Sequence, residues 1–293
     1  MKISLYLSVK RRELALRDAL IAGFEKHGDT VTPKLRKEFW SHWKDNKSDL
    51  VVYVGVKSRK MWNVCIENKQ PMLLIDKGYF GRAEYHRMSL GGYQPPYLND
   101  MELEPNRLKQ LGVTLHPKRE KGNIVLYAGS SHKYCMFHGL GDVSAYAAKV
   151  CAEIQQQLKA IDSPLTVVYR PKPSWWGNDD DEIDKTVPVG TVLSAPQENF
   201  AQILKSCHCL VTHGSNAGIE ALAAGVPVIL TSGPGISPIY DLAEHDMTNI
   251  GKPAWPRDSE RLRVLSALAW CQYNIKEIAS GFAWANLKPW LNR

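Results

Sequence analysis

The sequence lacks long hydrophobic runs. Its apolar stretches, such as 50–56 and 226–229, fall well short of the roughly 18 residues that a membrane-spanning helix needs. The N-terminal residues 1–9 alternate like a strand and lead into Lys10-Arg11-Arg12, without the long apolar stretch and small-residue cleavage site of a secretory leader. We therefore expect no transmembrane helix and a cytoplasmic location.

Cysteine patterns for disulfides or zinc are also missing. The six cysteines are scattered through 293 residues, so buried free thiols are expected rather than a disulfide framework. Cys207-His208-Cys209 has no second ligand pair at zinc spacing, and the acidic run 179–182 is typical of a solvated loop. No Walker A sequence occurs, which argues against a P-loop kinase. We predict no bound metal.

Length and charge indicate two domains with different partners. A chain of 293 residues with 44% apolar composition is long enough for two domains. Residues 1–121 carry a net charge of +9 and the remainder a net charge of −2. A basic first half next to a near-neutral second half indicates that the first half meets an anionic partner, although a basic surface that serves only solubility remains an alternative.

Continuous apolar runs alternate with helical patterns through most of the chain. Such alternation predicts parallel sheets covered by helices on both faces. Predicted strands are 3–7, 49–55, 71–76, 124–127, 165–169, 209–212 and 226–230, and predicted helices are 12–27, 57–68, 143–158 and 218–224. Residues 30–48 are interpreted as a connector and 78–105 as a long ordered loop. The predicted boundaries are 1–121, 122–274 and a C-terminal helical segment 275–293 that packs back on the first domain.

The most specific stretch is 211–229, a strand that runs into a loop of small residues and then a helix. The backbone N–H groups in the first turn of such a helix, together with its dipole, favour an anion such as a diphosphate. Glycine at 214 and 218 permits close approach of the backbone, and Ser215 and Asn216 add polar donors. Glu220, one turn into the helix, can accept hydrogen bonds from ribose hydroxyls.

This stretch resembles the donor-binding signature of glycosyltransferases with the GT-B fold, which has a Thr-His-Gly-Gly/Ser stretch, a later Glu and a small-Gly-x-Pro ending. The resemblance implies two doubly wound Rossmann-like domains with the active site in the cleft between them. It further implies that His213, Gly214, Ser215 and Asn216 contact the diphosphate of a nucleotide sugar and that Glu220 holds the ribose. The expected donor is a UDP-sugar, used as substrate with no cofactor.

A second resemblance covers 167–173. Arg170-Pro171-Lys172-Pro173 is similar to the Arg-Pro-His-Pro element of capsule-type and Kdo-type transferases, except that Lys172 stands where those families have histidine. Arg170 or Lys172 is expected to neutralise donor phosphate. Ser130 and Ser131, after the first strand of the second domain, are further candidates for the phosphates. Asp241 is a candidate for the sugar hydroxyls.

An inverting sugar transfer needs a general base for the acceptor hydroxyl. Asp76 is the first candidate, because it ends a buried strand at the edge where α/β sheets place ligands. Glu84 and His86, a few residues further on, are competitors. A retaining transferase would need no such base.

The acceptor is expected to bind the basic first domain. Cations interleaved with aromatic residues are typical of a nucleic-acid surface, although the same aromatics also stack sugars. The candidate contacts are Lys57, Arg59, Lys60, Lys77, Arg82, Arg87, Tyr79 and Tyr93. In organisation the chain resembles bacteriophage DNA glycosyltransferases, which predicts DNA with a hydroxymethylated pyrimidine as acceptor. A transferase for a surface polysaccharide or lipid-linked glycan, a nucleotide-sugar 2-epimerase and a non-enzymatic nucleic-acid-binding protein remain alternatives.

Overall fold

The computed structural model describes residues 1–8, 11–43, 47–55, 59–101, 105–172, 186–195 and 197–291. The chain divides into two compact units. The first comprises Met1–Leu111 and Ser266–Arg293, and the second comprises Gly112–Leu265. Among the described residues, no helix is both long and apolar enough to cross a bilayer.

The first unit contains a six-stranded sheet. Its strands are β1 Lys2–Leu7, β2 Thr30–Leu35, β3 Leu50–Val54, β4 Met72–Lys77, β5 Tyr85–Leu90 and β11 Gln272–Asn274. They lie in the order β11-β5-β4-β3-β1-β2. Strands β4, β3, β1 and β2 run parallel, whereas β5 is antiparallel to β4 and β11 is antiparallel to β5. All five residues of β3 are buried, as their continuous apolar sequence predicts.

Two strands of this sheet lie in segments that the sequence pattern predicts as a connector and a loop. Strand β2 contains Pro33, which a sheet tolerates at its edge, because an edge strand does not need every N–H for pairing. Strand β5 carries Arg87 and Ser89 in its buried half, so it lacks the apolar run of a central strand. The prediction of a loop over 78–105 is therefore wrong for 85–90, and the sheet of the first unit is mixed rather than wholly parallel.

The helices of the first unit cover this sheet and tie the C-terminal segment to it. They are α1 Arg11–Glu25, α2 Phe39–Trp43, α3 Arg59–Glu67, α4 Asn106–Gln110, α10 Ile275–Ala279 and α11 Phe282–Leu287. Buried Arg107 on α4 donates to both carboxylate oxygens of Glu277, at 2.8 and 3.0 Å, and to the carbonyls of Ala269 and Gln272. Trp284 donates its indole N–H to Asp29 at 2.6 Å. The described part of the C-terminal segment, 266–291, thus packs within the first unit through these contacts.

The second unit contains a five-stranded sheet in which every pairing is parallel. Its strands are β6 Ile124–Ala128, β7 Thr166–Arg170, β8 Val192–Leu193, β9 Cys207–Thr212 and β10 Val228–Leu230, in the order β10-β9-β6-β7-β8. Its helices are α5 His132–His138, α6 Val143–Ala160, α7 Phe200–Leu204, α8 Asn216–Ala223 and α9 Asp258–Trp270, the last of which crosses the division between the units. The side chain of Asp142 caps α6, and that of Ser215 caps α8.

The two units are divided after residues 111 and 265, whereas the predicted domain boundaries lie after residues 121 and 274. Residues 112–121 belong to the second unit, because the N–H of His116 bonds to the carbonyl of Ala223 and that of Arg119 to the carbonyl of Gly225. Residues 266–274 belong to the first unit, because β11 pairs with β5. The charged residues 118–121 are typical of a linker, but charge does not report these backbone contacts.

Candidate functional site

The polar side chains of the second unit gather where its strand order reverses. The chain passes from β6 to β7 and β8 on one side of the sheet, and β9 and β10 lie on the other side. In open α/β sheets, ligands bind at the carboxyl ends of the strands beside such a reversal. Here the loops that follow β6 and β9 flank it, and they contain Ser130-Ser131 and His213-Gly214-Ser215.

The hydroxyl of Thr212 ties these two loops together. It donates to the carbonyl of Ala128 at 2.9 Å and accepts the N–H of Ser215 at 3.2 Å. Because Thr212 has no exposed surface, water does not compete for these bonds. The end of β9 is therefore fixed to the end of β6, and the turn into α8 begins from a defined position.

Gly214 makes the turn that leads into α8. Its φ is +149°, and a Cβ at this position would lie 2.6 Å from the hydroxyl of Tyr134 on α5. A side chain here would therefore meet both unfavourable backbone geometry and a steric clash. The sequence predicts that this glycine permits close approach of a ligand, whereas in the structure the atom nearest to an added Cβ is the Tyr134 hydroxyl.

Lys172 lies at the start of α8. Its Nζ donates to Oγ of Ser215 at 2.7 Å, and the same Oγ accepts the N–H of Ala217 at 3.3 Å. The two stretches that carried the sequence resemblances, 167–173 and 211–229, thus meet through this hydrogen bond. A cation and the N-terminal end of an eight-residue helix lie side by side, and both favour an anion.

Arg170 faces a different set of groups. Its guanidinium donates to Oγ of Ser194 at 2.6 Å and to the carbonyl of Glu198 at 3.0 Å, and it lies 5.5 Å from the ring centroid of Phe200. Ser194 in turn donates to the carboxylate of Glu198 at 2.7 Å. These bonds hold the loop after β8 against β7. Of the two cations considered for the phosphates, Lys172 is therefore the one at α8.

His213 is buried, with 7% of its surface exposed, and burial lowers its pKa to about 4. Its Nδ1 lies 2.9 Å from the hydroxyl of Tyr146 on α6 and 3.4 Å from the hydroxyl of Thr231, which follows β10. The rings of Tyr134 and His138 lie 5.8 and 5.9 Å from its ring. The side chain is therefore neutral at physiological pH and fixed in orientation.

The remaining predicted donor residues of the second unit differ in exposure. Ser130 is buried, and Ser131 caps α5 by accepting the N–H of Tyr134 at 3.3 Å. Glu220 is exposed on the second turn of α8, and Asp241 is exposed in the short helix Tyr240–Leu242. Their assigned roles toward a ligand stay predictions.

Sequence reasoning missed Tyr146, Thr231 and Tyr134, all of which contact His213 or Gly214. Tyr146 lies inside a helical pattern and Thr231 follows an apolar strand, so each is typical of ordinary core packing. Only the three-dimensional arrangement brings them to the histidine.

The three candidate bases lie on or beside the β4–β5 hairpin of the first unit. Asp76 pairs with Arg87 across the two strands, with 3.5 Å between Oδ2 and the guanidinium, and its side chain is 39% exposed. His86 lies opposite Lys77, and burial lowers its pKa although Asp76 opposes that shift. Glu84 is exposed in the turn before β5. The hairpin thus brings Asp76 and His86 close together.

A further carboxylate, Glu13, lies beside the strand reversal of the first unit. This reversal falls between β1 and β3. Glu13 is nearly buried, accepts the N–H of Ser8 at 2.7 Å and lies 3.3 Å from the guanidinium of Arg36. Arg36 also donates to the carbonyl of Val54 at the end of β3. The sequence does not single out Glu13, because this residue lies among charged residues that begin a helix.

The predicted acceptor residues divide into buried and exposed groups. Tyr79 and Arg87 are 1% and 4% exposed, and both donate to Oε1 of Gln94, at 2.7 and 3.0 Å. The Arg87 guanidinium also lies 4.8 Å from the ring centroid of Tyr93, which is half-buried. Tyr79 and Arg87 are therefore part of the internal structure of the hairpin and are unable to contact a polymer.

The other predicted acceptor residues are accessible where the structure describes them. Arg59 and Lys60 are exposed at the start of α3, and Lys77 and Arg82 are exposed on the β4–β5 hairpin. Lys57 lies outside the described residues, as does the acidic run 179–182. In the described parts of the chain, no group of three or more His, Cys, Asp or Glu side chains is arranged to hold a metal ion.

Comparison with solved structures identifies the fold. The Thermosulfurimonas dismutans KpsC β-Kdo 2,4 transferase matches with a TM-score of 0.52 at 16% identity, over 95% of this chain and 98% of that chain. The β-Kdo 2,7 transferase of the same KpsC matches with a TM-score of 0.50 at 14% identity, over 98% and 100% of the two chains. No family model matches the sequence, and no curated protein does. The chain has two Rossmann-like α/β units of GT-B type, so the predicted fold class is confirmed, whereas the predicted position of the active site stays a prediction.

Proposed function

We propose that the protein is a glycosyltransferase that binds a UDP-sugar at the carboxyl edge of the second unit's sheet and transfers the sugar to a hydroxyl of a glycan. The observation that carries this proposal is the hydrogen bond from Lys172 to Ser215 at the first turn of α8. It joins two stretches about 40 residues apart that each resemble donor-binding elements of glycosyltransferases. The fold, shared with two structures described as β-Kdo transferases, supports the same proposal.

The arrangement suits a diphosphate leaving group. Breaking the bond between sugar and diphosphate leaves negative charge on the phosphate oxygens, and fixed cations and helix dipoles stabilise that charge. Lys172 supplies a full positive charge, and α8 supplies N–H groups and the positive end of its dipole. Glu220, exposed one turn further along α8, is the proposed partner of the ribose hydroxyls.

A glycan acceptor fits the first unit better than DNA does. Two of the eight residues assigned to a nucleic-acid surface, Tyr79 and Arg87, are buried and bonded to Gln94. The exposed cations that remain on described residues, Arg59, Lys60, Lys77 and Arg82, are equally suited to an anionic glycan. The similar KpsC structures, described as Kdo transferases, favour the glycan as well.

Replacing Lys172 with methionine tests the donor site. The substitution keeps the aliphatic length and removes the charge, so UDP affinity measured by calorimetry should fall by about tenfold or more, as expected for a charge-assisted hydrogen bond of about 1.5–3 kcal/mol. Lys149→Met, which removes an exposed lysine from α6 in the same unit, is the matched control and should leave affinity unchanged. Equal UDP affinity in the wild type and both variants would contradict the donor assignment.

The products of a reaction with UDP-sugar distinguish transfer from epimerisation. A transferase releases UDP and needs an acceptor for the sugar, whereas a 2-epimerase changes the configuration of the sugar at C2. Proton NMR of UDP-glucose and UDP-N-acetylglucosamine incubated with the protein, with and without an oligosaccharide mixture, should show UDP released faster when acceptor is present. Inversion at C2 without acceptor would favour the epimerase.

A further inference from the structure

The side chains of Thr231, Tyr146 and His213 come from separate elements and form a hydrogen-bond chain that ends at Nδ1 of the histidine. The Tyr146 hydroxyl on α6 lies 2.9 Å from Nδ1 and 2.9 Å from Oγ1 of Thr231, which directly follows β10. Thr231 Oγ1 is itself 3.4 Å from Nδ1. The tyrosine hydroxyl is therefore the central member of the chain, with the threonine on one side and the histidine on the other.

The protons in this chain can be arranged in two ways. In the first, Thr231 donates to the Tyr146 oxygen and Tyr146 donates to Nδ1, so each of the two hydroxyl protons has an acceptor. In the second, Nδ1–H donates to Tyr146 and Tyr146 donates to Thr231. The Thr231 proton then needs another acceptor, and the described residues offer it none besides these same two partners. The first arrangement is favoured, because only there do both hydroxyl protons have an acceptor among the described residues.

The surroundings of His213 keep its ring neutral. Tyr134 and His138 from α5, Tyr146 from α6 and Thr231 face it, and burial lowers its pKa to about 4. A neutral imidazole carries one proton, so a ring whose Nδ1 accepts a hydrogen bond carries that proton on Nε2. Among the described residues, Nε2 has no hydrogen-bond partner.

We propose that Tyr146 and Thr231 are positioning residues that hold His213 as the Nε2–H tautomer, so that His213 donates a hydrogen bond to a phosphate oxygen of the nucleotide sugar. The role toward phosphate rests on the proposed function, whereas the tautomer follows from the hydrogen-bond chain alone. In this state Nε2 has no lone pair with which to accept a proton. His213 is therefore a fixed donor and does not act as the general base.

Nitrogen NMR of ¹⁵N-histidine-labelled protein tests the tautomer directly. The sequence has nine histidines, and the His213→Gln variant identifies the signals of His213 by their loss. The expected spectrum at pH 7 shows a protonated Nε2 and an unprotonated Nδ1. Thr231→Val removes the threonine hydroxyl at nearly constant shape, and Tyr146→Phe removes the tyrosine hydroxyl. Each variant should shift the His213 signals toward a mixture of tautomers. Thr231→Ser keeps the hydroxyl and should restore the wild-type pattern.

Binding of UDP tests the role toward phosphate. Tyr146→Phe and Thr231→Val should weaken UDP affinity by about two- to tenfold, the range for one neutral hydrogen bond. Thr231→Ser should retain it. Tyr127→Phe removes another buried tyrosine hydroxyl of this unit that does not contact His213, so it controls for loss of packing and should leave both affinity and tautomer unchanged.

Two results would separate this inference from the proposed function. A protein that binds UDP with His213 protonated on Nδ1, or with a tautomer unaffected by Tyr146→Phe, overturns the positioning role and leaves the donor site intact. A wild-type protein that shows the Nε2–H tautomer and binds no UDP overturns the proposed function and the phosphate contact together.

Discussion

At the scale of single residues, two carboxylates of the first unit are candidates for the general base that deprotonates the acceptor hydroxyl in the proposed transfer. Asp76 ends β4 with its side chain 39% exposed and 3.5 Å from Arg87. Glu13 is 8% exposed and contacts Ser8, which follows β1, and Arg36, which follows β2 and also donates to the carbonyl of Val54 at the end of β3. A general base must reach the hydroxyl that it deprotonates. The more accessible Asp76 is therefore the proposed base. The contacts of Glu13 with Ser8 and Arg36 indicate instead that it stabilises the loops that follow β1 and β2.

The variants Asp76→Asn and Glu13→Gln separate these roles. Loss of a general base typically lowers turnover by about 10²- to 10⁴-fold, so Asp76→Asn should abolish measurable UDP release in the presence of acceptor while UDP affinity is retained. Glu13→Gln should lower the urea midpoint of unfolding and affect turnover less. Full turnover in Asp76→Asn, together with its loss in a folded Glu13→Gln variant, would assign the base to Glu13.

The residues that sequence reasoning found and missed differ in a physical respect. His213, Gly214, Ser215 and Lys172 lie in short contiguous stretches whose order is itself informative. Tyr146 and Thr231 are 67 and 18 residues from His213 and reach it only through the folded positions of α6 and β10. The chain carries no local signal for such a contact, because a tyrosine inside an amphipathic helix is equally compatible with simple packing.

At the scale of elements, the strands that could be predicted are those buried on both faces. Strands β3, β4, β6 and β9 have continuous apolar sequences that predict their type. Strands β2, β5 and β11 lie toward the edges of the sheet and carry charged or polar residues, so no pattern distinguishes them from loops. Their pairing depends on distant segments, since β11 comes about 180 residues after its partner β5.

The connection between β9 and α8 is the element on which the candidate donor site depends. Gly214→Ala would introduce a Cβ 2.6 Å from the Tyr134 hydroxyl at a backbone φ of +149°. The expected cost is about 1–3 kcal/mol in the free energy of unfolding, with a larger relative loss of UDP affinity because the first turn of α8 would move. Urea unfolding and calorimetry measure the two effects.

Gly233→Ala is the matched control for this substitution. A Cβ at Gly233 meets no atom within 4 Å, and its backbone lies outside the left-handed region. This variant should unfold and bind UDP like the wild type. The double variant Gly214→Ala/Tyr134→Phe removes the hydroxyl from the clash and should recover part of the lost stability. Equal behaviour of Gly214→Ala and Gly233→Ala would contradict the importance of this turn.

At the scale of the whole molecule, the net positive charge belongs to the first unit. Residues 1–111 and 266–293 carry a net charge of +9, whereas 112–265 carry a net charge of −2. A polyanion bound through such a charge excess releases counterions, so its affinity falls linearly with the logarithm of salt concentration. This dependence is common to DNA and anionic glycans, and it does not identify the acceptor by itself.

The choice between DNA and an anionic glycan as acceptor therefore depends on binding preferences that charge alone does not explain. The glycan proposal predicts that an unmodified DNA duplex, a hydroxymethylcytosine duplex and heparin bind with similar salt slopes and lose affinity steeply between 50 and 200 mM salt, by about 10³-fold or more if six phosphates are contacted. Reversing Arg59 and Lys60 to glutamate should weaken all three, whereas reversal of Lys149 in the second unit should weaken none. Preferential binding of hydroxymethylcytosine DNA at 200 mM salt, or a hexose added to it in the presence of UDP-glucose, would replace the glycan with DNA as the acceptor.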